Sequence, residues 1–109
     1  MTIKSLKDKF EFDRVFNEGS RVSGRYLTAV IRRTKAGPVR IGIAASGKYG
    51  NAVERNRVKR LIREAFKTVL ADINRPFEVV VIPKTNAKGV LMSSIYLDMN
   101  SLLGKAGVI

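Results

Sequence analysis

The stretch from Asn51 to about Leu70 limits the fold more than any other part of the chain. At 100° per residue Val58, Leu61, Ile62, Ala65 and Val69 share one side, with Phe66 at its border, while Asn56, Lys59, Arg60, Arg63 and Lys67 take the other. A helix divided in this way is stable only when another layer covers its apolar side. A partner follows directly. Phe77 to Ile82 is a nearly continuous apolar run, the pattern of a strand covered on both faces, and Pro83 ends it.

Asp8 and Glu11 stand at capping-box spacing and Gly19 lies just past the end, so a first helix is predicted over Asp8 to Asn17, with Ser5 and Asp8 as a competing start. Phe12, Val15 and Phe16 share one face of it; Leu6 and Phe10 fall on another. Arg25 to Arg33 is rich in β-formers. After the turn signal Lys35-Ala36-Gly37-Pro38, Val39, Ile41 and Ile43 alternate with Arg40 and Gly42, so the two segments read as an antiparallel hairpin. Ser46-Gly47-Lys48-Tyr49-Gly50-Asn51 then breaks the strand, and Leu91 to Leu103 is read as a last helix that frays at Gly104 and Gly107. The order helix, two strands, helix, strand, helix is that of a small α+β sandwich, one domain over residues 1–109.

The 109 residues hold no cysteine and no histidine, which removes disulfides, zinc knuckles, thiol nucleophiles and histidine bases together. Lys and Arg number 21 against 9 Asp and Glu, and a net charge of +12 calls for a polyanionic partner. Its placement narrows the choice. Gly19 to Arg40 carries six basic residues and no acid, and Lys48 to Lys67 carries seven against Glu54 and Glu64, so the excess reads as a docking face and not as a tail. The first sixteen residues lack the apolar segment of a secretory signal, and no apolar run is long enough to span a bilayer; the expected compartment is the cytoplasm.

A charge run is usually only a solvated helix face. Here arginine outnumbers lysine four to two from Arg55 to Lys67, and arginine forks match phosphate oxygens, whereas a merely soluble helix mixes Lys with Glu. Asn56, between two arginines, can donate and accept at a sugar or base edge. Gly47 and Gly50 flank Lys48 and Tyr49, but the Gly-Lys-Ser/Thr ending of a phosphate-cradling Walker loop is missing. Phe12, Val15 and Phe16 read first as core and second as a platform for unpaired bases. Glu54 and Glu64 form no obvious acid/base pair, and Ser46, Ser93 and Ser94 have no recognisable base. The functional classes left are a structured-RNA binder and a major-groove DNA binder; a self-contained nuclease is disfavoured by the scattered acids.

The string Asn51-Ala52-Val53-Glu54-Arg55-Asn56-Arg57-Val58-Lys59-Arg60-Leu61-Ile62-Arg63-Glu64-Ala65-Phe66 resembles the arginine-rich signature of the protein subunit of bacterial ribonuclease P. Phe12-Asp13-Arg14-Val15-Phe16 resembles that family's first helix, Val39 to Ile43 with Ser46 and Lys48 its third strand and following loop, and Glu78 to Ile82 its fourth strand. The resemblance implies a four-stranded mixed sheet packed by helices, with a left-handed βαβ crossover through the long helix. It also implies an accessory role. A catalytic RNA, with Mg²⁺ and one protein per RNA, cleaves the 5′ leader from precursor tRNA, and the protein chain supplies no catalytic residue and binds no cofactor or metal of its own. Carried over residue by residue, Arg55, Asn56, Arg57, Lys59, Arg60 and Arg63 would face the RNA subunit. A leader cleft would use Phe12 and Phe16, with Lys48 near its edge. Val30 stands where the family carries an aromatic, with Tyr26 expected on the same strand face. Pro83 replaces a basic residue, leaving Lys84 as the nearest cation.

Overall fold

A computed structural model describes residues 3–109. Chain order is β1 (Ile3–Ser5), α1 (Lys9–Glu18), β2 (Ser20–Ser23), β3 (Leu27–Arg33), β4 (Val39–Ile43), α2 (Ala52–Val69), β5 (Phe77–Pro83) and α3 (Met92–Lys105). Short 3-10 turns cover Leu70–Asp72 and Thr85–Ala87. The strands form one mixed sheet in the order β1-β4-β5-β3-β2. No helix among the described residues is long and apolar enough to cross a membrane.

The apolar run at Phe77–Pro83 takes the centre of the sheet. Val79 and Val81 point into the larger core, shared with Val58, Ile62 and Phe66 of α2 and Ile95, Met99 and Leu102 of α3. Val80 points the other way, into a smaller cluster with Leu6, Val15 and Val30 beneath α1. Alternation along one strand therefore feeds two cores, as expected when helices cover both faces. β5 runs antiparallel to β3 and parallel to β4, with α2 as the connection between the parallel pair.

Two expectations are corrected. β3 and β4 are not a hairpin, because β5 lies between them and pairs with both. A strand buried on both faces is best satisfied with hydrogen-bonding neighbours on both edges, so Thr34 to Pro38 spans a gap of two strand spacings, roughly 10 Å. Gly37, at φ 100°, makes that turn. The sheet also has five strands where four were expected. Ile3–Ser5 pairs parallel with Val39–Ile41, and the Leu6 amide continues the ladder by donating to the Ile41 carbonyl at 2.9 Å. Three residues are too few for alternation to show in a sequence.

Candidate nucleic-acid interface

The start of α2 is fixed by a capping box. The Asn51 side chain accepts from the Glu54 amide at 2.9 Å, and the Glu54 carboxylate accepts from the Asn51 amide at 3.0 Å. The helix then presents Asn56, Arg57, Arg60 and Arg63 to solvent, with Lys59 half-buried beside them. Arg57, Lys59, Arg60 and Arg63 form no ion pair among the described residues. Arg55 differs. Its Nη1 donates to the Gly50 carbonyl at 2.6 Å, so this guanidinium is turned back to hold the loop that leads into the helix.

On the opposite face of the sheet α1 is held by charge as much as by packing. Asp8 caps its N-terminus through the Glu11 amide at 2.9 Å. At 100° per residue Glu11, Arg14 and Glu18 share one flank, Val15 faces the sheet, and Phe12 and Phe16 hang on the other flank. Strand register sets Arg40, Glu78 and Arg32 side by side under the charged flank. Glu78, 4% exposed, receives Arg32 at 3.0 Å and Arg14 at 3.1 Å, with Arg40 at 3.7 Å. Arg32 also binds Glu18 at 3.0 Å and Arg40 lies 3.8 Å from Glu11. The hydrogen bond that Arg32 donates to Glu18, with the charges of Glu18 and Glu78, raises the Arg32 pKa, and burial opposes the rise.

The aromatic flank of α1 overhangs a different row. Phe12 lies across Gly42, where an added Cβ would meet the ring at 2.5 Å, so only glycine leaves room for it. Beyond that contact Thr28, Ile82 and Ala44 form a half-buried shelf on the same sheet face, and exposed Lys48 follows in the turn after β4. Phe16 keeps 37% of its surface exposed, while Val15 is fully buried. One helical face thus divides between core and free aromatic surface.

Two expected cleft residues do not line the free surface. Val30 is 2% exposed and packs under α1 with Val15 and Val80, so it forms the floor and offers no surface to a base. Tyr26 precedes β3 and packs on the larger core at α3, not on the α1 side. The reason is Asp98, whose buried carboxylate accepts the amides of Arg25, Tyr26 and Leu27 at 2.8–2.9 Å and draws that turn onto α3. Gly24 permits the approach, since a Cβ there would lie 2.5 Å from the carboxylate. The basic run from Gly19 to Arg40 is likewise only partly free. Arg32 and Arg40 are paired, and Arg33 donates to the Ala106 carbonyl.

Sequence reasoning passed over the shelf residues Thr28, Ala44 and Ile82 and the Glu78 cluster. For Glu78 a signal existed: one carboxylate inside a run otherwise built for burial requires cationic partners.

The sequence and the fold are similar to those of known proteins. A family model described as Ribonuclease P matches residues 2–107. The ribonuclease P protein component of Finegoldia magna is 37% identical over 83 residues, 76% of this chain and 73% of the relative. That of Clostridioides difficile is 30% identical over 106 residues, 96% and 93% of the two chains. The chain belongs to the bacterial ribonuclease P protein family. Among solved ribonuclease P proteins, one from Staphylococcus aureus superposes with a TM-score of 0.84 at 32% identity over 95% of both chains. One from Thermotoga maritima gives 0.84 at 28% identity, covering 93% of this chain and 96% of its own. As a ribonuclease P protein the chain is a subunit of the ribonucleoprotein that matures the 5′ end of tRNA, partnered by ribonuclease P RNA and precursor tRNA.

Proposed function

We propose that the chain docks on the RNA subunit through α2 and holds the single-stranded 5′ leader of precursor tRNA against the shelf beneath Phe12 and Phe16. Asn56, Arg57, Lys59, Arg60 and Arg63 meet RNA phosphates and sugars. Arg55 supports them by bracing the loop at Gly50. The observation that carries this reading is the difference in pairing between the two arginine groups: α2 spends no carboxylate on Arg57, Arg60 or Arg63, while the α1 side ties its arginines to Glu78. Cations left without partners in a folded protein are available to phosphate.

The chemistry is assigned to the RNA. In this reading the chain holds no metal of its own, and Mg²⁺ belongs to the RNA-catalysed reaction. The protein contributes position. Phe12 and Phe16 stack with unpaired leader bases over Thr28, Ile82 and Ala44, and Lys48 meets the leader backbone. Val30 and Tyr26 take no part. Fixing the leader holds the scissile phosphate in register, which lowers a barrier without any protein atom entering the reaction. One protein per RNA, acting in the cytoplasm, completes the proposal.

Mature tRNA lacks the leader, so the cleft discriminates between substrate and product. In a holoenzyme carrying Phe16→Ala, affinity for precursor tRNA should fall by about 1–3 kcal/mol, the worth of one base–aromatic stack, with affinity for mature tRNA unchanged. Equal weakening of both would defeat the leader assignment.

A further inference from the structure

Beside the proposed docking face lies a cavity of about 50 Å³ between α2 and the segment after β5. That is a few times the ~10–15 Å³ one water requires, which leaves room for a tetrahedral oxyanion and none for a base. Val58 and Leu61 form its apolar wall, and Tyr49, Glu54, Arg57 and Lys88 supply its polar groups. Tyr49 is 4% exposed, yet its hydroxyl has no hydrogen-bond partner among the described residues. That hydroxyl is not itself sealed from solvent, so it stands on the cavity wall as a donor open to an entering anion. Arg57 forms no ion pair among the described residues. The Lys88 ammonium is held loosely, 5.6 Å above the Tyr49 ring and 3.8 Å from Glu54 Oε2.

Three donors therefore surround a space the size of one phosphoryl group, and a single carboxylate stands at its edge. Glu54 is fixed there by the capping box through Oε1, which leaves Oε2 as the weak partner of Lys88. We propose that this cavity receives one backbone phosphate of the RNA subunit, bound by Arg57, Lys88 and the Tyr49 hydroxyl, with Lys88 leaving Glu54 to reach it. The proposal rests on the reading that α2 docks on that RNA. It adds a second bank to the interface, carried by the Thr85–Ala87 turn and the residues after it, and makes Glu54 an internal competitor of the phosphate.

The test is the affinity of the full chain for the RNA subunit across a range of salt concentrations, with Arg60→Ala as a reference. Lys88→Ala should reduce the slope of log affinity against log salt by about 0.7–0.9, one phosphate contact. Tyr49→Phe should weaken binding about two- to tenfold, the worth of one hydrogen bond, with the slope unchanged. Its effect should shrink when Lys88 is already absent, since the two groups share one acceptor. Glu54→Gln keeps the capping box and should tighten binding. A reduced slope in Arg60→Ala with unchanged affinity in Lys88→Ala and Tyr49→Phe would overturn the cavity assignment alone. No slope change in Arg60→Ala would remove the docking reading and the cavity with it. Inorganic phosphate is the second probe: if it perturbs the Tyr49 ring signals while both cavity variants bind RNA normally, the site is one for free anions and the proposal fails.

Discussion

Arg14, Arg32 and Arg40 on the α1 side and Arg57, Arg60 and Arg63 on α2 are the same residue type in comparable number, yet they are chemically different groups. The first three converge on Glu78, with Glu11 and Glu18 around them, and act as mortar between helix and sheet. The second three lack ion-pair partners among the described residues and face outward. A net charge cannot tell these apart, because the deciding carboxylate, Glu78, lies 46 and 64 residues from Arg32 and Arg14 in sequence. Availability to a polyanion is set by the fold, through the register that places Glu78 between Arg32 and Arg40.

The largest expected effect breaks the paired side. Glu78→Ala leaves three cations crowded with their shared anion gone; because the guanidinium groups stay partly exposed, the cost should lie below the roughly 3–5 kcal/mol of a fully buried pair. Urea unfolding would show it, and a loss below about 1 kcal/mol would mean that α1 is held by the Val15 contacts alone. The free side should respond in the opposite sense. Arg60→Ala with Arg63→Ala should leave stability within about 0.5 kcal/mol per site. RNA-subunit affinity should lose salt dependence, by about 0.7–0.9 in slope for each lost phosphate contact. Unfolding without a change in slope would erase the distinction between the two groups.

Much of this arrangement was legible beforehand. The division of α2 into apolar and cationic sides holds, with Lys59 and Leu61 half-buried at its margins, because helical periodicity over eighteen residues needs no tertiary information. The run at Phe77 announced a strand covered twice, and Val79, Val80 and Val81 are fully buried. Strand adjacency was not legible. The turn at Gly37 looks the same whether the flanking strands pair or leave a gap for a third. The expected cleft was half legible: the spacing of Phe12, Val15 and Phe16 put them on one face, but which of them is free depends on the packing of Phe12 across Gly42 and of Val15 against Val30 and Val80. Tyr26 was misplaced because the bonds that turn it toward α3 come from Asp98, 72 residues away.

The smallest effect sharpens the comparison at a single phenol. Burial pushes the Tyr49 pKa above its ordinary value near 10, the Glu54 charge adds to the rise, and the Arg57 charge opposes it. The neutral form is thus favoured by folding. As pH climbs past about 10 the unfolded chain gives up this proton before the folded chain does, so the stabilisation present below that pH is lost with further rise. Unfolding free energy should fall more steeply above pH 10 in the natural chain than in Tyr49→Phe. Tyrosinate absorbance should also report the neighbours: Arg57→Ala moves the titration to higher pH and Glu54→Gln to lower. On the α1 side the corresponding charges are consumed by one another, whereas on the α2 side Arg57 still projects its field onto a neighbour. If both substitutions left the titration in place, Arg57 would be as fully compensated as Arg32, and the contrast between the two faces would disappear.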